Sequence, residues 1–431
     1  MRTHRLLVLL IPSAAALLSA AHQQTIPVRQ VNAPTAATTE TFGGVLGIKE
    51  LPDGHVLIDD AGRKRLLLFD AGLSSFTVVS DTMPGAVNPY GDAAAPLIPY
   101  VGDSTLLLPW SVKAFFVIDP KGAIVRTAAL PKESDMLVIT GSRAVVDPLG
   151  RLIYRRTPMI GPRIPPPATG SWATQLPDSS PIVRADFDTR KIDTIAYVRT
   201  PIQPRAEYTI RTAGDRPTQR VLLAPVSMVD DWTVTSDGTL ALVRGQDYHI
   251  DWMSPAGVVT STPKMPFDWR RFTDEEKQRL ADSAVKSWRD RIADARARDS
   301  VTPPRQVPPG TIRFSMIGSF NQAEGSNIAI TTTSTVDALP LSAMPDYYPP
   351  IRGGTVRADL DGNVWLLPNT SARSTGGGIV YDVVNRKGEL FERVEMPRER
   401  SIAGFGPNGT IYMMWRDSTQ AWRVERTRVS R

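Results

Sequence analysis

Residues 51–79 read LPDGHVLIDDAGRKRLLLFDAGLSSFTVV, and this stretch decides the fold. Three β-rich runs, among them HVLID and LLLFD, are punctuated by Asp53-Gly54 and Ala71-Gly72. Alternating apolar and polar residues suit a half-buried strand, and a glycine after Asp supplies the positive φ that a tight hairpin needs. The segment therefore reads as a small antiparallel meander.

The same order recurs along the chain, which makes the repeat the primary signal. A second copy runs from Val101, with turns at Gly102-Asp103 and Lys121-Gly122. A third starts at VVDPLGRLIYRR and resumes at PIVRADFDTRKIDTIAYV; a fourth is VTSDGTLALVRGQDYHIDWMSPAGVVTSTP. The fifth is VRADLDGNVWLLPN with GGIVYDVVNRKGELFERVEMP, and the sixth, GFGPNGTIYMMWRDSTQAWRVERTRVS, stops one strand short. Short small-residue runs precede these turns: GGVLGIKE at 43, SDMLVITGSRAVV at 134, SMVDDWTVT at 227, IRGGTVRAD at 351 and RSIAGFG at 400. Such runs suit strands crowded near a central axis, which gives four strands per repeat.

The expectation is an all-β, six-bladed β-propeller with four-stranded antiparallel blades. The run Thr25 to Val31 is expected to supply the missing strand of the last blade, since a radial array otherwise leaves a seam. The LPDGHVLIDD and ADLDGNVWLLP repeats, with PDYYPPI before the latter, resemble the six-bladed propellers of the NHL and TolB-like superfamily. That resemblance covers most of residues 43–430 and concerns turn and packing residues, so it implies architecture and assigns no functional residue.

Arg2 and Arg5 precede an apolar run from Leu6 to Leu18 followed by small residues, the pattern of a signal peptide over residues 1–21. A single domain over 22–431 and a periplasmic or extracellular location follow as expectations. The chain has no cysteine, so disulfides, thiolate metal sites and cysteine nucleophiles are excluded. The net charge of +6 falls to +4 without Arg2 and Arg5, and the basic residues are scattered, which argues against nucleic-acid binding.

Insertions are expected at 156–180, 199–224 and 267–350. The first is Pro-rich and reads as an irregular loop; the second reads as an added hairpin around AGDRPTQ. In the third, Thr273 and Glu276 form a capping box, and Ala281, Val285, Trp288, Ile292 and Ala295 share one face of a helix spanning about 273–298. Two further β-like runs, GTIRFSMIG and SNIAITTTSTV, complete a flap beside it.

Catalytic motifs are absent: the sequence holds no HExxH, GxSxG, P-loop or dinucleotide fingerprint. His55 and His249 lie inside repeats, and the strand-end residues Asp59, Asp70, Asp119, Asp251 and Asp382 recur by register and read as structural. No cofactor is predicted, with Ca²⁺ left open. Oxygen ligands suit Ca²⁺, for which Glu50, Asn88, Asp230, Asp231 and Asp346 are the candidates, the adjacent Asp230-Asp231 foremost. Loops expected on one rim carry Tyr90, Trp110, Lys113, Arg244, Gln246, Tyr347, Tyr348, Arg352 and Arg416, a mixture suited to a peptide, glycan or anionic ligand. The leading expectation is a non-enzymatic binding or interaction module with Tyr90, Trp110, Asp230, Asp231, Tyr347 and Arg352 as ligand-binding residues. The alternative is a cation-dependent hydrolase, lyase or lactonase acting in the central channel.

Overall fold

The structure is a computed structural model that describes residues 26–83, 85, 88–91, 93–110, 112–141, 143–156, 169–173, 177–202, 204–212, 218–301, 334–369 and 377–429. The signal segment and the run GTIRFSMIG lie outside the described residues. Among those described, the chain is nearly all β, arranged in seven sheets.

Six sheets follow one another along the sequence. The first holds Val45–Glu50, Val56–Asp60, Arg65–Phe69 and Phe76–Ser80, and the second Leu97–Pro99, Thr105–Leu107, Ala114–Ile118 and Ile124–Ala129. The third holds Ala144–Val146, Leu152–Arg155, Ser179–Ala185 and Ile192–Arg199, and the fourth Asp231–Val234, Leu240–Arg244, His249–Met253 and Val259–Ser261. The fifth is built on Arg357–Ala358, Val364–Leu366, Val380–Val384 and Leu390–Glu395, and the sixth on Ser401–Phe405, Thr410–Arg416 and Trp422–Arg428. Within each, neighbours in sequence are antiparallel neighbours in space, as the hairpin turns dictate; Gly54 and Gly122 take φ of 86° and 84°.

The cores lie between sheets rather than within them. Leu57 and Leu66 meet Leu107, Phe116 and Ile118 between the first and second. Leu106, Phe115 and Val117 meet Leu152, Tyr154 and Val183 between the second and third. Ile153, Ile182 and Val198 meet Trp232, Leu240 and Leu242 between the third and fourth. Ala241, Val243 and Ile250 meet Val364, Leu366 and Val384 between the fourth and fifth. Trp365, Tyr381 and Val383 meet Ile402, Ile411 and Met413 between the fifth and sixth. Val56, Ile58 and Phe69 of the first sheet then meet Tyr412 and Val424 of the sixth. Each sheet thus buries both faces against its neighbours, the packing of a β-propeller. The first strands of the sheets approach closely: a Cβ added to Gly47 would stand 3.1 Å from the Leu97 Cβ, and one on Gly404 3.2 Å from the Ile48 Cβ. Small residues are needed on these strands for that reason.

The N-terminal segment does complete the sixth sheet; of the run expected to do so Val31 takes part, bridging Val429 antiparallel, and the rest of the ladder comes from residues further along. Ala36–Ala37 pairs antiparallel with Trp422–Arg428, and the flanking chain continues the ladder through Asn32 N–H to Arg428 O at 2.8 Å and Phe42 N–H to Trp422 O at 2.8 Å. Val28–Gln30, within the run expected to fill this place, instead adds a parallel edge strand to Leu390–Glu395 of the fifth sheet. A second correction concerns the run at 134, whose first half forms a short helix, Met136–Gly141, leaving only Ala144–Val146 as the inner strand. A short apolar run carries no period that separates helix from strand.

The seventh sheet is assembled from the insertions: Gly170–Ala173, Arg205–Ile210, Thr218–Leu223 and Ser334–Ala338, the last parallel to its neighbour. The hairpin at 199–224 is as expected, whereas the first insertion contributes a strand in place of a wholly irregular loop. The long helix, Asp274–Val301, packs Ala284, Val285 and Trp288 on Val221, Leu223 and Val336 of this sheet. Its capping box is formed in both directions, Glu276 N–H to Thr273 Oγ1 at 3.2 Å and Thr273 N–H to Glu276 Oε2 at 3.0 Å. Thr273→Ala is expected to cost about 1 kcal/mol of helix stability, read as earlier loss of the 222 nm dichroism on urea titration.

Candidate functional site

The residues singled out by sequence do not assemble into one site. Tyr90, expected on a rim, is fully buried; its hydroxyl donates to Asp59 Oδ1 at 2.5 Å and accepts from Ala95 N–H at 3.1 Å. Trp110 packs partly buried against the core between the second and third sheets. Arg352 is engaged by Asn369 Oδ1 at 2.9 Å. Tyr347 is 42% exposed and meets Trp269 edge-on at 6.1 Å; its neighbour Tyr348 stacks on Phe272 at 3.7 Å beneath the Arg270 guanidinium.

Four of the five candidate cation ligands have side chains engaged by the protein, while Asn88 is bonded through its backbone carbonyl, which accepts from Ser80 Oγ at 2.8 Å. Glu50 accepts from the Tyr412 hydroxyl at 2.7 Å, and Asp346 pairs with Lys277 at 3.1 Å. Asp230 accepts from Arg244 Nη1 at 2.9 Å, Arg199 N–H at 3.0 Å and Gly245 N–H at 3.1 Å. Asp231 is one residue further on, and successive side chains along extended chain point to opposite sides, so the two carboxylates serve different partners. Among the described residues no three Asp, Glu or His side chains stand close enough to share a metal ion.

Asp231 is nevertheless the centre of a constellation. It opens the inner strand of the fourth sheet and is 5% exposed. Its Oδ1 accepts from Trp232 N–H at 2.8 Å and from Arg143 Nη1 at 3.3 Å; its Oδ2 accepts from Val356 N–H, in the approach to the fifth sheet, at 2.9 Å. Arg143 stands just before the inner strand of the third sheet. Its guanidinium also donates to the Trp232 carbonyl and, at 3.2 Å, to the Gly354 carbonyl. One side-chain pair therefore ties the third, fourth and fifth sheets together where their inner strands begin.

Two further arginines crowd this pair. Ala144 pairs with Tyr154, so Arg155, the last residue of its strand, lies at the same end of the third sheet as Arg143. Arg357 begins the inner strand of the fifth sheet, next to the Val356 amide that Asp231 holds. Both are half-buried, and neither guanidinium has a hydrogen-bond or ion-pair partner among the described residues. Burial lowers the pKa of each, Arg143 lowers it further by repulsion, and Asp231 opposes both effects. Among the described residues Asp231 is paired with Arg143 alone and acts on Arg155 and Arg357 at longer range. Arg357 also lies close to the buried Tyr381, whose phenol is raised mainly by burial and held back by that arginine.

Such a surplus of half-buried positive charge is costly to leave unanswered, since a charge withdrawn from water needs a partner or retained solvation. Asp231 was legible in the sequence as a strand-start carboxylate. The three arginines were not, because they belong to three separate segments with no fixed spacing.

No protein family matches the chain by sequence, and no curated protein does. Among solved structures, it is similar to virginiamycin B lyase from Staphylococcus aureus, solved with quinupristin: 13% identity, 90% of this chain and 97% of that one covered, TM-score 0.36. It is also similar to a luciferin-regenerating enzyme, with 12% identity, 92% and 95% coverage and TM-score 0.38. A member of the DUF4221 family from Bacteroides vulgatus gives 7% identity, 94% and 96% coverage and TM-score 0.42. Likenesses at this level carry no argument about ligand or reaction. The sheets themselves define the class, a β-propeller-type protein.

Proposed function

We propose that this chain is an exported, six-bladed propeller that works as a non-enzymatic binding module, taking its ligand where the inner strands of the third, fourth and fifth sheets begin. The observation that carries the reading is the character of that place. A purely structural ring would fill its centre with apolar side chains, whereas here Asp231, Arg143 and Arg357 stand at inner-strand starts and Arg155 closes the strand beside one of them. The count of six is supported by the cyclic order of the inter-sheet cores, which runs from the first sheet round to the sixth and back; the seventh sheet is then an insertion carried outside the repeat. Export to the periplasm or beyond rests on the basic start and apolar run of residues 1–21, and among the described residues no helix is long and apolar enough to cross a membrane.

The hydrolase, lyase or lactonase reading asks for several oxygen side chains around one cation, and Asp230 and Asp231 are each spoken for by an arginine and by backbone amides. Millimolar calcium is accordingly expected to leave the thermal midpoint unchanged; a saturable rise would favour the cation-dependent alternative. The binding reading is tested by thermal-shift screening of the purified chain against a panel of sugars, dipeptides, carboxylates and phosphates. At least one compound is expected to raise the midpoint in a saturable manner without being consumed, and Arg357→Gln, whose guanidinium has no hydrogen-bond partner among the described residues, to weaken the rise. Turnover of that compound, or no shift across the panel, would overturn it.

A further inference from the structure

We infer that the inserted seventh sheet carries a second binding site, for a short extended peptide with free termini, along the outer edge of its strand Ser334–Ala338. This goes beyond the reading of the ring's inner face and stands independently of it.

A groove of about 620 Å³ lies between the long helix, this strand and the turn that follows it. Ala281, Val285 and Leu341 give it an apolar wall. Most of its charges cancel within the protein: Arg220 pairs with Asp337 at 2.8 Å and Lys286 with Asp290 at 2.6 Å. Two are left over. Asp282 accepts from the Gln278 side-chain amide at 2.9 Å, and Arg289 donates to the Val336 carbonyl at 3.2 Å, but neither has an ion-pair partner among the described residues.

Arg289 follows Asp282 by seven residues, or two helical turns, so the two share one face of the helix about 10 Å apart along its axis. A carboxylate and a guanidinium so placed match the ammonium of one peptide terminus and the carboxylate of the other. The separation is the reach of about three extended residues. A ligand of one charge only would satisfy one end of the groove.

The strand supplies the remaining requirement. It ends the seventh sheet, paired parallel on one side to Thr218–Leu223 and unpaired on the other among the described residues. The Leu339 N–H, just beyond it, donates to the Leu223 carbonyl at 2.8 Å. Alternate residues of a strand aim their backbone groups at opposite edges, so Val336 and Ala338 turn theirs away from the sheet. The Val336 carbonyl accordingly meets Arg289, while Ala338 lines the groove with its N–H and C=O unpartnered among the described residues. An unpaired edge is a template for another strand, and in strand addition the main-chain bonds supply affinity while flanking side chains choose the ligand.

The test is calorimetric titration of the full chain with trialanine, N-acetyl-trialanine and trialanine amide at matched ionic strength. Trialanine is expected to bind saturably, and each capped form at least fivefold more weakly. Asp282→Asn should lower the affinity for trialanine to that of the acetylated peptide without weakening the latter, and Arg289→Gln should do the same for the amide. Both changes fall on exposed positions of the helix, so both variants should fold. Ala338→Pro deletes an N–H that the ladder does not use and should abolish binding with the 222 nm dichroism unchanged. No saturable binding, equal affinities for free and capped peptides, or undiminished affinity in the two helix variants would overturn the inference, and normal binding by Ala338→Pro would overturn strand addition. Arg357→Gln should bind trialanine as the parent does, which separates failure of this site from failure of the one on the ring.

Discussion

Asp231→Ala is expected to lower the unfolding free energy by about 3 kcal/mol or more, the usual consequence of removing one partner of a buried ion pair. Two effects combine. The Trp232 and Val356 amides lose their acceptor, and Arg143 keeps only carbonyl partners while standing beside Arg155 and Arg357 without the carboxylate that offsets them. The loss should fall on the junction of the third, fourth and fifth sheets, because that is what the pair ties together. Asp230→Ala is the informative comparison. Its partner Arg244 retains Asp251 at 2.7 Å, so no cation is left unpaired and about 1 kcal/mol is expected. Urea midpoints followed by tryptophan fluorescence would separate the two, with Trp232 on the affected strand. A cost for Asp231→Ala no greater than that for Asp230→Ala would mean that Asp231 is not the keystone of the junction.

The difference between these neighbouring aspartates also marks the limit of what the sequence discloses. Local signals were readable wherever a turn or a face imposed its own chemistry: Asp53-Gly54 and Lys121-Gly122 close hairpins, and Thr273 with Glu276 starts a helix. The strand-end aspartates sorted as structural are so bonded, Asp382 to Arg393 at 2.8 Å and Asp119 to the Lys121 and Ala123 amides. Small-residue inner strands were legible because Gly47 and Gly404 answer to a steric rule. Three things were not. Tyr90 follows a Pro in a loop and reads as a rim aromatic, yet the loop folds inward and seats its hydroxyl on Asp59. Val28–Gln30 has strand character with no mark of which edge it will join, and it chose a parallel one. Arg143 reaches Asp231 and the Gly354 carbonyl only because three sheets converge, and nothing local to it records that convergence.

The Tyr90 contact leads to the second large effect, a pH-dependent one. Asp59 is fully buried in the first sheet, its carboxyl pKa is raised well above the ordinary value mainly by burial, and the charge of Asp60 adds to the rise while the Tyr90 hydroxyl opposes it. Asp60 itself is held by Arg65 at 3.0 Å, so that cation is already committed. Oδ2 of Asp59 has no partner among the described residues, which suits a carboxyl that keeps its proton. The folded chain therefore retains a proton that the unfolded chain gives up near pH 4. Above that point the unfolded state binds fewer protons, so this residue makes stability fall as pH rises, by about 1.4 kcal/mol per unit, until the folded carboxyl also ionises. Asp59→Asn removes the titration while leaving an oxygen for Tyr90. Whatever constant offset the amide brings, the variant is expected to gain on the parent from pH 4 upward at that slope, as measured by urea midpoints at half-unit intervals of pH. Parallel stability profiles for the two proteins would show that Asp59 is ionised in the fold and that the Tyr90 hydroxyl alone suffices to hold a buried charge.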